Sequence, residues 1–211
     1  MRKLVAVLML ASALRITPLF AAHYTIDPAH TSISFRVKHM SISKVDGKFD
    51  KFTGDFNYDE KNPAAWSVNA SIDANSIDTS SEARDKHLKT ADFFDAAKFP
   101  ALTFKSTGVT NAANGKAALS GLLNMHGVEK PVSLALEVGG TVQDPMGNSR
   151  AGFEVNGKVN RKDFGINPGA PNAMIGEDIE IHISVEGIMD KAPGDKAMDK
   201  KPAMKKEEKK K

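Results

Sequence analysis

The sequence contains no cysteine. That excludes thiol catalysis, thiolate metal sites, a disulfide framework and a lipid-modified N-terminal cysteine. Excess charge of one sign is also missing from the middle of the chain. The net charge is +3, but residues 1–22 carry +3 (Arg2, Lys3, Arg15) and residues 190–211 carry +4, which leaves −4 for residues 23–189. A basic nucleic-acid surface is excluded on that balance, and no nucleic acid is expected as a partner. The six histidines form no H-x-H or H-E-x-x-H pair, and there is no G-x-S-x-G elbow. Neither a metal, a cofactor nor a catalytic residue is signalled.

Long apolar runs are equally scarce. The one present, Leu4–Leu14, follows Arg2 and Lys3 and precedes the small residues Ala21 and Ala22. That is the layout of a cleaved secretory signal over residues 1–22, and it predicts a periplasmic protein. Arg15 interrupts the run, and the alternative is an uncleaved anchor. At the other end, residues 190–211 hold 9 Lys against 3 Asp and 2 Glu, with two prolines. Such a segment has too little apolar surface to offset its ordering entropy and reads as a disordered tail. A weak membrane-surface contact through it stays open, as does a solvated tail.

What is abundant is alternation. "SISFRVKH" sets Ile33, Phe35 and Val37 against Ser32, Ser34, Arg36 and Lys38. "VSLALEV", "GFEVNGKVNR" and "IEIHISVEGI" repeat the pattern, and "KFDKFTGDFNYD", "SVNASID", "ALTFKSTGV" and "AALSGLLNM" follow it more loosely. A period of two with one polar face predicts half-buried antiparallel strands, here about eight. Asn, Asp, Gly and Pro clusters such as "NAANGKA" and "QDPMGNS" separate them as hairpin turns. An all-β barrel or sandwich of one domain, residues 23–189, follows.

One stretch breaks the pattern. "ARDKHLKTADFFDAAKFP" (residues 83–100) reads as a short polar helix, with Thr79 and Glu82 as a capping box. It is too short to stand alone. Phe93, Phe94 and Phe99 supply a docking foot that would seat it over one barrel mouth.

These pieces together resemble a known family. "YTIDPAHTSISFRVKH", "GKFDKFTGDF", "SIDTSSEARDKHLKTADFFDAAKFPALTFKST", "GLLNMHGVEKPVSL" and "NRKDFGI" stand in the order found in YceI-like, polyisoprenoid-binding periplasmic proteins, over residues 23–188. The resemblance implies an extended eight-stranded antiparallel lipocalin-like barrel with a short helical lid. It also implies an apolar tunnel that holds a long isoprenoid lipid or isoprenoid quinone, without catalysis. Fatty acids or fatty amides are the alternative cargo. An enzyme acting on such a lipid, or an interaction protein working through its tail, are the alternative functions. The inward faces of the strands give the expected ligand-binding set: Phe35, Val37, Phe104, Leu134, Leu136, Phe153, Val155, Ile181 and Ile183, with Phe93, Phe94 and Phe164 near an opening. Arg161 and Asp163 read as a structural ion pair or as partners of a ligand headgroup. A homodimer stays open.

Overall fold

The computed structural model describes residues 21–191. The expected leader before Ala21 and the lysine-rich tail after Lys191 lie outside the described residues. In chain order the strands are β1 (Ala22–Ile26), β2 (Ser32–His39), β3 (Ser43–Phe49), β4 (Phe52–Tyr58), β5 (Ser67–Asp73), β6 (Ile77–Asp78), β7 (Ala101–Ala113), β8 (Lys116–Met125), β9 (Val128–Gln143), β10 (Ser149–Asn160) and β11 (Ile175–Met189). One helix, α1 (Glu82–Leu88), and three 3-10 turns at Pro63–Ala65, Ala74–Ser76 and Arg161–Phe164 complete the fold.

The eleven strands build eight staves. β1 and β2 lie end to end along β11, with Ile26 opposite Gly187 and Ser32 opposite Ser184. β3 and β4 lie end to end along those two, with Phe49 opposite Ile33 and Asp55 opposite Thr25. β5 pairs with β4 and β6 with β3. Counting each interrupted stave once, the chain is an antiparallel up-and-down meander. It closes where β11 returns to β1 and β2. Closure removes the unpaired edges that an open sheet must protect.

The interruptions have local causes. After β1, Asp27 Oδ1 accepts from the Ala29 amide at 3.0 Å and Oδ2 meets His30 Nδ1 at 2.8 Å, which folds residues 27–30 out of the ladder. Between β3 and β4, the Asp50 and Lys51 amides turn to Ser76, one to its carbonyl and one to its hydroxyl. Asp73 ends β5 by accepting from the Asn75 amide at 2.9 Å. Each is a short polar side chain outcompeting the ladder for a backbone N–H.

Inside, large side chains lie over glycines of the next strand. A Cβ at Gly47 would sit 2.3 Å from the ring of Phe35, and one at Gly121 would sit 2.3 Å from that of Phe104. Those two glycines are required by close approach.

The helical segment covers the barrel end formed by the 40–42, 126–127 and 161–174 connections. The expected capping box is not what starts α1. The N-cap is Ser81, which makes no side-chain cap bond, and Glu82 pairs with Lys86 instead (2.7 Å). Thr79 is buried, and its amide and hydroxyl both donate to Asp85 Oδ1, while Arg84 donates to the Thr79 hydroxyl and carbonyl. Helix and β6 are thus cross-tied at one threonine. Phe93 is buried against His87, Phe94 stands against Phe49, and Phe99 packs on His126 and over Gly127.

Arg161 also departs from its expected pairing. It bonds to no carboxylate. Its five N–H groups donate to the carbonyls of Ile166, Asn167, Ala170, Ile175 and Gly176, and the residue is 2 % exposed. Burial pulls its pKa down from the ordinary value. Asp163 stays exposed at the surface. The reason is position: the alternation of β10 carries Val155, Val159 and then Arg161 inward, where only the backbone of the 161–175 loop can meet a guanidinium.

A candidate apolar binding cavity

β5 and β7 form a ladder only from Asn69–Lys105 to Asp73–Ala101. Beyond it the Val68 amide bonds to the Ser106 hydroxyl at 2.9 Å. A bulge between Ser106 and Gly108 then steers β7 away. The two strands part, and an apolar cavity of about 70 Å³ lies beside the gap. On the scale where about 10–15 Å³ accommodates one water, this is room for a few waters or a short length of hydrocarbon chain.

Trp66, Val68 and Val109 flank the gap, Leu119, Leu136, Val155 and Val185 line the interior, and Phe56, Tyr58 and Phe153 line the rest. The aromatic residues hold one another. Phe153 meets Phe56 and Tyr58 edge-on at 5.3 and 5.0 Å, Tyr24 stacks on Phe56 at 5.0 Å, and Trp66 tilts against Tyr58 at 4.9 Å. Such offset and edge contacts fix ring orientation. Trp66 is placed by the Pro63–Ala65 turn and by its indole N–H, which donates to the Asp59 carbonyl at 2.6 Å. Burial raises the Tyr58 pKa, so the phenol stays neutral. The polar lining consists of Asn57 and Ser67, bonded to each other at 2.8 Å. No charged group lines the cavity.

The expected ligand-binding residues are divided by this geometry. Leu136, Phe153 and Val155 line the cavity together. Phe104 and Leu134 lie farther along the interior, Phe104 over Gly121 and Leu134 over Gly157. Ile181 and Ile183 of β11 pair with Phe35 and Ile33 of β2. Phe35, Val37, Phe93, Phe94 and Phe164 belong to the helix-covered end, away from the gap. Phe164 is 2 % exposed there. The sequence reading omitted Phe56, Tyr58, Trp66, Val68, Val109, Leu119 and Val185. For Phe56 and Tyr58 a signal existed, since they continue the alternation of Phe52. Trp66 follows a turn and has no periodicity to mark it.

A larger hollow, about 600 Å³, lies over β2, β3, β10 and β11 and has a mixed lining of polar and apolar groups. Arg36 bonds Asp46 across it, and His182 bonds Asn156 at 2.7 Å. Those pairs already satisfy one another, while Phe35 and Ile181 of the expected ligand-binding set give the hollow an apolar part of its lining.

Farther round, Arg150 joins three carboxylates. It donates to Asp144 at 2.9 Å, to Asp27 at 2.8 Å and to Glu186 at 2.5 Å. Hydrogen bonds from His30 and Arg150 lower the Asp27 pKa to about 2, and Asp144 is lowered further by Asn148 and Arg150. Asp27, His30 and Glu186 lie close enough to share a cation, but Arg150 already occupies that position. The cluster ties the β1–β2 bend to β10, β11 and the 144–148 turn.

Among the described residues, no helix is long and apolar enough to cross a membrane. Comparison with known proteins agrees with the barrel. The YceI-like domain model matches residues 24–187. Protein YceI of Salmonella newport is 44 % identical over 173 residues, covering 81 % of this chain and 89 % of that protein. A UPF0312 protein of Vibrio cholerae is 44 % identical over 170 residues, covering 80 % and 88 %. Among solved structures, the YceI protein of Campylobacter jejuni superposes with a TM-score of 0.67 at 33 % identity, covering 80 % of this chain and 98 % of that one. A polyisoprenoid binding domain from Saccharophagus degradans gives a TM-score of 0.62 over 81 % of this chain and 99 % of that one, at 16 % identity, a likeness of fold.

Proposed function

This chain belongs to the YceI-like domain family, and from that premise we propose that its barrel is a non-catalytic carrier for a long-chain apolar lipid. The observation that carries this is the cavity beside the β5–β7 gap, walled by apolar side chains from seven strands, with only neutral polar groups in its lining. Each methylene moved from water into such a lining is worth roughly 0.8 kcal/mol, whereas a single hydrogen bond nets about 1 kcal/mol. Chain length and shape therefore dominate selection.

The lining narrows the choice of headgroup. Asn57 and Ser67 can hydrogen-bond a carbonyl or hydroxyl, but no cation lines the cavity to compensate a diphosphate. That favours an isoprenoid with a neutral head, an isoprenoid quinone or a free polyprenol, over a charged polyprenyl phosphate. The binding named for the Saccharophagus domain supports the isoprenoid tail. The cavity as it stands admits only part of such a chain, so binding includes side-chain displacement along the interior. Half-buried Phe104, Val138 and Ile183 are the movable candidates. The leader-like residues 1–22 favour a periplasmic site of action.

The test is organic extraction of the exported protein followed by mass spectrometry. One long neutral isoprenoid near one per chain is the expected result. An empty extract from folded protein, together with no uptake of a long-tailed quinone offered in detergent, would overturn the reading.

A further inference from the structure

The β2–β3 hairpin ends in an unusual tip. Met40 and Ser41 both have left-handed backbones, with φ of 51° and 59°. Turn positions with such φ values ordinarily take Asn or Gly, which bear them at little cost. Here one position holds methionine, and the next residue, Ile42, is 87 % exposed. The 161–174 connection brings a third apolar side chain alongside. The Met40 amide donates to the Met174 carbonyl at 2.8 Å, the Ser41 hydroxyl to the Ala173 carbonyl at 3.3 Å, and Met174 is 56 % exposed. Directly behind the tip, Lys38 and Lys44 face each other across the ladder. Like charges in that position destabilise a hairpin. Lys44 reaches Glu180 at 3.2 Å, while Lys38 has no carboxylate within ion-pair distance among the described residues.

The hydrogen bonds and the Lys44–Glu180 pair tie the tip to its neighbours, but the exposed apolar side chains and the left-handed backbone do not help the fold. A strained tip, three exposed apolar side chains and an opposed lysine pair in one place mark a contact surface. We propose that this tip docks the barrel on a lipid bilayer with anionic headgroups. The vertical order of groups argues for the occupant. Met40, Ile42 and Met174 lie outermost. Lys38 and Lys44 follow two residues behind the turn, roughly 7 Å along the strands. An apolar face enters the headgroup–acyl boundary by about 5–10 Å, which sets lysines at that spacing level with the phosphates. A protein partner or a second copy would have to bring carboxylates to that level instead. The tip lies on the same barrel end as the α1 segment, so docking turns that end towards the membrane. The proposal is independent of the cargo: an empty barrel docks as well.

The experiment is co-sedimentation of the full chain with vesicles of phosphatidylcholine alone and of phosphatidylcholine with a quarter phosphatidylglycerol. The protein is expected to bind the mixed vesicles more strongly. Replacing Ile42 and Met174 together by serine should weaken binding about tenfold or more. Lys38→Gln with Lys44→Gln should weaken it by about fivefold per lysine, on the anionic vesicles only. All four side chains are solvent-facing, and unchanged melting temperatures would confirm folding. Equal binding by the Ile42→Ser, Met174→Ser chain would overturn the proposal and move adhesion to the lysine-rich tail. So would absence of binding to either vesicle. Self-association in the ultracentrifuge that the same serine variant abolishes would overturn it too, making the tip a protein interface.

Discussion

Phe94 stands edge-on to Phe49, the ring centroids 5.8 Å apart and the planes at 85°. Phe49 in turn tilts against Phe35 at 5.7 Å, so the helix-bearing segment is joined to β2 and β3 through a row of three rings. Two further ties are Phe99 against His126 and Gly127, and the polar contacts at Thr79.

Phe94→Ala cuts the row at its outer member. Phe94 is only half-buried, so the cost should be about 2 kcal/mol, below that of a fully buried phenylalanine. Hydrogen exchange should accelerate across residues 82–99 while the β8–β10 amides keep their protection. Uniform acceleration throughout the barrel would show that the segment is an integral part of the core instead of a separately opening cover.

Val68→Phe tests the cavity. Val68 flanks the gap and is half-buried, so the larger ring can enter the free space without displacing the core. The variant should fold with an unchanged or higher melting temperature. Co-purifying lipid should fall about tenfold or more, as expected when a ring occupies space needed by several methylenes. Unchanged lipid content would place the cargo elsewhere in the barrel.

Acid should act through Asp27. Its pKa is about 2 in the fold against an ordinary 3.8, lowered first by His30 and then by Arg150. A depressed carboxyl stabilises the fold fully above its unfolded value, and the contribution fades as pH falls through 4 towards 2. Asp27→Asn should therefore flatten the dependence of melting temperature on pH in that window. Arg150→Met should raise the Asp27 pKa towards its unfolded value, shrink the acid-dependent loss in that window, and lower the melting temperature by several degrees at neutral pH. A pH profile identical to the parent's would show that the cluster is energetically silent.

Arg161→Met removes five donors from five carbonyls at once. Leaving buried acceptors unpaired is costly, and a loss of about 3 kcal/mol or more is expected in chemical denaturation. Arg161→Lys should recover little, because an ammonium cannot span carbonyls spread over the 166–176 loop. A lysine variant as stable as the parent would mean that charge alone matters there.

The eight staves were legible because each alternates, and each quoted segment falls on its own stave. The breaks were not. Whether Asp27, Ser76 or Asp73 turns amides out of a ladder depends on what the opposite strand offers, and that is a tertiary matter. The same limit explains Thr79, whose spacing to Glu82 suggested a cap although its oxygen lies against Asp85. Arg161 was misread because charge suggested a charged partner, whereas inward alternation past Val159 predicted burial. Of the cavity, Leu136, Phe153 and Val155 were legible from strand parity. The gap was not, since it arises from the bulge at Ser106–Gly108, which leaves no mark in composition.

The pairing of β1 with β11 joins residues 24–26 to residues 187–189, and it dictates an order of events. The first stave pairs early with β3 and β4, but its second neighbour is missing until the last stave has been made, so a chain emerging from a ribosome or a translocation pore stays open along one side. The other neighbours in the meander are adjacent in sequence and can form as they appear. Only the final seam closes a loop of this length, and contacts so distant in sequence form slowly. Truncation anywhere within β11 should therefore leave an incomplete, aggregation-prone sheet in which β1 and β2 keep β4 and β3 on one side and expose an unpaired edge on the other, and not a shorter barrel.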